Sequence, residues 1–362
     1  MQTEDYPNIR RKSRAAFDAM FKEQPEKFIL EPVGTKDSIL GQIALKEPSI
    51  FRYKLEFKGG FKTEFIGKWK SRKLIINGAK VICAGSISLL TSILLHRKVL
   101  GFNHSEYREN AFYQNIDSSL KQYLIEQYWH IGDQNGVHFL AMEEIKGATR
   151  PRTDDFKKII DIITDFHAKY YQKRTAIEKM SLNYYTDEDY NRSSKMLLKM
   201  WRTLNAQNDV IFTTQEIDTI ENFIKNISAE RKALPNNHFS LTHNDLSTRN
   251  IFKKDNSFYI YDWEMACYQN PEHDLIELLC SNLGKMTDTE IISLIKYFRS
   301  TLAKKTGQKL SDKEFGALLR FNLLEFSTNK LSSLRLFNLR AKVAFINQFT
   351  KNSARLIRLF GI

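Results

Sequence analysis

The chain has 362 residues, 42% of them hydrophobic and 27% charged, which is ordinary for a soluble globular protein with room for two or three domains. Its 55 Lys and Arg against 42 Asp and Glu leave a formal net charge of +13 at pH 7, a balance that attracts nucleic acid, anionic lipid or an acidic substrate. A membrane span is excluded, because the best apolar run, residues 82–95, falls short of the ~20 residues required and carries several Ser and Thr.

No apolar core accompanies the Arg10-Arg11-Lys12 cluster, so no signal peptide is read there. Cys83, Cys267 and Cys280 lie far apart without metal-ligand spacing and are expected to be reduced core thiols of a cytoplasmic protein. Residues 27–33 read as a strand, 34–38 as a turn and 49–57 as a second strand; Lys58-Gly59-Gly60 turns the chain into a third, residues 61–70. Period-two alternation puts Ile66, Lys68 and Lys70 on one face of that strand. Residues 73–102 read as an added helical piece, and 123–130 with 137–145 as a hairpin around Gly132-Asp133-Gln134-Asn135-Gly136. From Thr153 the pattern is helical: Thr153-Asp154-Asp155 can cap residues 156–167, whose apolar positions recur at i, i+3 and i+4. Further helices are expected at 187–204, 214–233, 274–283, 287–304 and 312–328, with one or two more toward Arg358. No G-x-x-x-x-G-K-[ST] occurs, which excludes the P-loop fold.

The most informative stretch is Leu241-Thr242-His243-Asn244-Asp245-Leu246-Ser247-Thr248-Arg249-Asn250-Ile251-Phe252, followed after a polar turn by Phe258-Tyr259-Ile260-Tyr261-Asp262-Trp263-Glu264. An apolar strand runs into a loop carrying His, Asp and Asn, and one hairpin later a strand ends in acids. Phosphoryl transfer asks for this set: a carboxylate to orient the attacking hydroxyl, and oxygen ligands to hold Mg²⁺ against the nucleotide phosphates. Asp245 suits the first role, as catalytic base. Asn250 and Asp262 suit the second, since Mg²⁺ takes one or two carboxylates beside phosphates and water. His243 is expected to brace the catalytic loop by hydrogen bonding to backbone or to the second acid. An Asp or Asn beside a strand is ordinarily a turn former, so the reading rests on the set.

On these residues the sequence resembles the aminoglycoside phosphotransferase and choline kinase group of kinase-like phosphotransferases. The group's H-x-D-x-x-x-x-N is met by His243, Asp245 and Asn250, and Asp262-Trp263-Glu264 resembles the D-[FW]-E of small-molecule kinases more than the D-F-G of protein kinases. Asn270-Pro271-Glu272-His273-Asp274-Leu275 resembles its P-x-x-D-L helix start, and weaker matches reach over most of residues 27–300. The resemblance implies an α+β, bilobal protein-kinase-like fold. Residues 1–145 would form a small antiparallel-sheet lobe for the nucleotide, with the helical insertion near 73–102; residues 146–362 would form a mostly helical lobe with the catalytic loop and acceptor site. It also implies nucleotide contacts. Thr35 and Ser38 would cover the phosphates; Lys68, with Lys70 as competitor, would reach the α and β phosphates while Ile66 lies under the base; and Glu109, fitting E-x-x-F-Y better than Glu106, would pair with that lysine. The Glu143 carbonyl and Ile145 amide would meet adenine, and His167 matches a helix histidine expected to pack.

The implied donor is ATP, with GTP the alternative, and the metal Mg²⁺. Only about ten residues separate Asp262 from the next helix, too few for an activation segment and peptide platform, so the acceptor is expected to be a small-molecule hydroxyl. Ser247 also stands where protein kinases usually carry a lysine. An antibiotic such as an aminoglycoside, a natural product, an amino alcohol and a sugar all fit, the first implying antibiotic resistance. Asn244 and Asp262-Trp263-Glu264 lean toward choline and ethanolamine kinases. Lys330, Arg335, Arg340, Lys342, Lys351, Arg355 and Arg358, with no acid after Glu325, lean against a polycationic aminoglycoside. The alternative is a kinase-shaped binding protein without catalysis, or a nucleic-acid or anion-binding scaffold. Retention of the catalytic groups weighs against the first, and aromatic residues that do not interleave with the charges weigh against nucleic acid. The sequence leaves the oligomeric state open.

Overall fold

The computed structural model describes residues 6–33, 49–71, 76, 79–80, 83, 86–101, 103–132, 137–180, 182–206, 211–341 and 343–362. Contacts divide the chain into two compact units, Met1–Val81 with Leu124–Gly147, and Ile82–Tyr123 with Ala148–Ile362.

In the first unit, β1 (Lys27–Pro32), β2 (Ile50–Glu56), β3 (Lys62–Ser71), β4 (Gln127–Gly132) and β5 (Val137–Met142) form an antiparallel sheet in the order β1-β2-β3-β5-β4. Alternation along β2 buries Phe51, Tyr53 and Leu55, which meet Phe65 of β3 and Phe139 of β5 in one core. Helix α1 (Pro7–Met20) packs there through Ile9, Ala16 and Phe17, a helical repeat. The sequence reading placed no element before residue 27. The basic cluster belongs to the outer side of this helix: Arg11 and Lys12 are exposed, and the Arg10 guanidinium sits 4.5 Å from the centre of the Phe28 ring. With Phe65 and Trp69 turned to the core, alternation puts Ile66, Lys68 and Lys70 on the other face of β3. The hairpin strand starts later than expected, at Gln127, because Ser118–Tyr123 winds into a 3₁₀ turn.

The second unit is mostly helical: α2 (Ile87–Leu95), α3 (Ser105–Asn115), α4 (Phe156–Tyr170), α5 (Arg174–Lys179), α6 (Asp187–Asn205), α7 (Thr214–Lys232), α8 (Glu272–Ser281), α9 (Asp288–Thr306), α10 (Asp312–Thr328), α11 (Lys330–Ala341) and α12 (Ala344–Leu359). Strands β6 (Asn183–Tyr184), β7 (Ser240–Thr242) and β10 (Cys267–Gln269) form a sheet in the order β6-β10-β7, and β8 (Ile251–Lys254) pairs with β9 (Ser257–Ile260) as a hairpin. Reciprocal capping boxes start four long helices, at Thr186/Asp189, Thr213/Glu216, Thr287/Glu290 and Ser311/Glu314. Residues 82–123, which the sequence reading kept with the sheet lobe, group by contacts with the helices: α2 packs on α6, and α3 on the turn at Trp263. Buried Leu89 and Ile93 and the Phe112 ring give those helices apolar faces to bury. Helix α8 is buried over all ten residues and packs against α10 and α12. The architecture is the expected α+β. No described helix is long and apolar enough to cross a membrane, and Cys83, Cys267 and Cys280 are free and buried.

Close packing fixes Gly67 of β3, where a Cβ would lie 2.3 Å from the Tyr53 ring and 2.6 Å from the Phe139 ring. Gly67→Ala is expected to destabilise the protein by about 1–3 kcal/mol through overpacking. Urea unfolding reads this as a lower midpoint, and an unchanged midpoint would contradict the packing described.

Candidate active site

The loop after β7 turns at Asn244, whose φ of 57° is left-handed and which Asn tolerates better than most residues. The turn leaves buried backbone N–H groups that need acceptors, and α8 provides them. Asp274 Oδ2 accepts from the His243 N–H at 2.9 Å and Oδ1 from the Asn244 N–H at 3.0 Å. Glu277 Oε2 accepts from the Leu246 N–H at 2.6 Å, and Ser281 Oγ from the Thr248 N–H at 3.1 Å. Positions 274, 277 and 281 are i, i+3 and i+7, one face of the helix. His167 Nε2 on α4 also donates to Asp274, at 3.0 Å, so this histidine packs and bonds. Burial opposes the charge on Asp274, but the hydrogen bonds from His167 and from the His243 backbone N–H outweigh it and hold its pKa below the ordinary aspartate value.

His243 bonds within the loop and to the neighbouring hairpin. Its Nδ1 accepts from the Asp245 N–H at 3.2 Å, so Nε2 carries the hydrogen donated to the Tyr261 carbonyl at 2.9 Å. Asn250 Nδ2 donates to the Asp245 carbonyl at 2.8 Å and to Asp245 Oδ2 at 2.7 Å. The amide nitrogen is thus committed to Asp245, and Oδ1 is the Asn250 atom able to ligate a cation. Hairpin register pairs Ile251 with Ile260, and the Tyr261 N–H donates to the Asn250 carbonyl at 3.1 Å, which sets Asn250 beside the residue preceding Asp262. Asp262 is left-handed, at φ 65° and ψ 51°. Trp263 anchors that turn: fully buried, its ring stacks on Phe112 at 4.1 Å and lies 4.5 Å from the His243 ring. Carboxylate oxygens of Glu109, Asp262 and Glu264 come within 4.8 Å of one another. The other acidic grouping among the described residues, His273, Asp274 and Glu277, is committed to the loop amides through its two acids.

The sequence reading had Lys330 only as part of a basic tail. As first residue of α11, its Nζ donates to Asp245 Oδ1 at 2.6 Å, Glu277 Oε1 at 2.5 Å and the Asn244 carbonyl at 3.1 Å. Burial opposes the charge on Asp245, yet Lys330 overrides it, with smaller help from Arg249, and the carboxyl lies below the ordinary aspartate range. Glu277 stays above its ordinary value because burial prevails over the same lysine. No local motif marks Lys330. A signal did exist for α8, where Asp, Glu and Ser recur on one face of an otherwise apolar segment.

The remaining expectations are scattered. Lys68 and Lys70, 6% and 5% exposed, belong to the first unit, and Glu109 to the second. Glu143 and Ile145 follow β5, where the Glu143 N–H donates to the Glu126 carbonyl and the Lys146 N–H to the Glu144 carbonyl; neither bond uses the Glu143 carbonyl or the Ile145 amide. Thr35 and Ser38 lie outside the described residues. The Asn244 side chain donates to the Met265 carbonyl at 3.0 Å and accepts from Gln269 at 3.3 Å, which is a structural use.

The fold is that of the protein-kinase-like small-molecule kinases. It is similar to the choline kinase LicA from Streptococcus pneumoniae, with a TM-score of 0.51 and 12% identity over 98% of this chain and 99% of that one. It is similar also to the spectinomycin phosphotransferase APH(9)-Ia, with a TM-score of 0.50 and 11% identity over 96% and 97%. No curated protein matches the sequence. The sequence profile of the phosphotransferase enzyme family matches residues 107–294, more than half of the chain, and the chain belongs to that family. It is a phosphotransferase that takes a hydroxyl group of a small molecule as acceptor.

Removing the Asp274 carboxylate strands two buried N–H groups and His167. Asp274→Ala is expected to cost about 3–5 kcal/mol, and Asp274→Asn less, in denaturant unfolding. Because the folded pKa of Asp274 is depressed, its stabilisation is complete above the ordinary aspartate pKa and is lost as pH falls through the lowered folded value. The Ala variant should therefore lose less stability on acidification than the wild type; equal acid sensitivity would contradict the assignment.

Proposed function

We propose that the enzyme transfers the γ-phosphoryl group of ATP, with GTP the alternative donor, to a small-molecule hydroxyl, with Asp245 as catalytic base. The observation that carries this reading is the Asp245–Asn250 pair, 2.7 Å apart, on a loop whose backbone is tied to α8. The acceptor oxygen bonds to the γ-phosphorus as the bond to the β–γ bridging oxygen breaks, the electron pair leaves on ADP, and the hydroxyl proton passes to Asp245. His243 keeps the loop in shape through its two ring hydrogen bonds.

Asn250 and Asp262 would hold Mg²⁺, and the donors suit a hard cation: an amide oxygen and a carboxylate, with the Glu109 and Glu264 carboxylates close to Asp262. When bound, Mg²⁺ offsets the charge of the nucleotide phosphates. Lys68 is assigned to the α and β phosphates, and the Glu143 carbonyl and Ile145 amide to adenine. Structures of LicA and of the spectinomycin phosphotransferase carry AMP, which favours an adenine nucleotide here. In this reading residues 1–145 serve the nucleotide and 146–362 the acceptor. An amino alcohol, an antibiotic, another natural product or a sugar fits as acceptor, a range to which choline and spectinomycin belong. A cytoplasmic location agrees with three free, buried cysteines.

Turnover of ATP and GTP with Mg²⁺ against pooled aminoglycosides, other antibiotics, amino alcohols and sugars tests the reading. Asp245→Ala is expected to lower kcat about 10²–10⁴-fold. A wild-type protein with no turnover and no nucleotide-induced thermal shift would contradict it in favour of a kinase-shaped binding protein.

A further inference from the structure

Lys330 uses each of its three ammonium hydrogens on a different acceptor: Asp245 Oδ1, Glu277 Oε1 and the Asn244 carbonyl. Its position is unfavourable on two general grounds. It opens α11, where the helix dipole disfavours a cation, and its side chain is only 18% exposed, so much of its hydration is given up. The geometry supplies the compensating use. Asn250 grips one oxygen of Asp245 from the hairpin side and Lys330 grips the other from α11. A carboxylate turns readily about its last torsion, and two donors from different elements, one on each oxygen, stop that rotation. Glu277 completes the device: Oε1 holds Lys330 while Oε2 holds the Leu246 N–H of the same loop, so lysine and loop share one fixed support.

We propose that Lys330 is a positioning residue for phosphoryl transfer, its ammonium held by Glu277 and the Asn244 carbonyl and locking the Asp245 carboxylate against the Asn250 amide in the orientation that meets the acceptor hydroxyl. The proposal rests on Asp245 being the catalytic base. With all three hydrogens engaged by the protein, Lys330 acts through Asp245.

The test compares the wild type with Lys330→Met and with the double variant Lys330→Met/Glu277→Gln. Lys351→Met, at an exposed lysine, controls for loss of one positive charge. Thermal unfolding, calorimetric binding of ADP with Mg²⁺, and kcat and KM for ATP are measured with the panel acceptor, or with water where the panel gives none. Lys330→Met alone should melt lower, because Glu277 is left buried without its cation. The double variant should recover most of the lost melting temperature, since the buried charge has gone and the amide oxygen that replaces the carboxylate still accepts from the Leu246 N–H. In both, kcat should fall about 10²-fold, the scale of a misplaced catalytic group, with KM for ATP and ADP binding unchanged. A double variant with wild-type kcat would overturn the proposal, because Lys330 would then only offset Glu277. Loss of ADP binding together with kcat would overturn it as well, marking a residue that holds the fold. A wild-type protein that binds ADP but shows no loss of turnover in Asp245→Ala would instead remove the reading of Asp245 on which the proposal stands.

Discussion

Backbone N–H groups at the start of the catalytic loop are buried and must find acceptors, and α8 meets that demand with Asp274, Glu277 and Ser281 on one face. Leaving such a group buried and unpaired costs about 1–3 kcal/mol, so the three buried ones, at 243, 244 and 246, together rival much of the stability of a domain. The rest of the site follows. A loop pinned at 243, 244, 246 and 248 presents Asp245 and Asn250 in one geometry, and His243 carries that geometry across to the Tyr261 carbonyl, just ahead of Asp262. Acids on a helix buried along its length need partners, which is why His167 meets Asp274 and Lys330 meets Glu277, while His273 of the same helix approaches Glu325 of α10 at 3.2 Å.

Much of the basic tail has the same kind of explanation. Arg355 bonds Asp288 and the Met286 carbonyl, Arg358 bonds Glu216 and the Ile211 carbonyl, and Arg335 lies over the Trp201 and Phe212 rings. These cations fasten the last helices to the rest of their unit. A polyanion is not needed to account for them. The acids they meet stand 67 and 142 residues away in the chain, beyond the reach of any local pattern.

What could be read from the sequence was what is local. The site's core lies between His243 and Glu264, one loop and one hairpin, so its spacing was visible as a string of residues. Helix starts at 187, 214, 287 and 312 were readable because each lies at a Thr or Ser with an acid three residues beyond it. Helix α1 was missed because its inner face mixes Ile9 and Phe17 with Ser13 and Ala16 under a basic cluster, too weak an apolar repeat to stand out. Lys330 was invisible for the reason the tail was: its meaning lies in Asp245, 85 residues earlier. Asp274 was noticed as a helix start, but its work as an acceptor for the loop needed the three-dimensional arrangement.

The most direct measurement is a crystal structure with a non-hydrolysable ATP analogue and Mg²⁺. The proposed site requires a metal bound by Asn250 Oδ1 and the Asp262 carboxylate at about 2.0–2.1 Å, with Asp245 still held between Asn250 and Lys330. Nucleotide phosphates bound away from this loop, or a metal with no bond to Asn250 and Asp262, would contradict it.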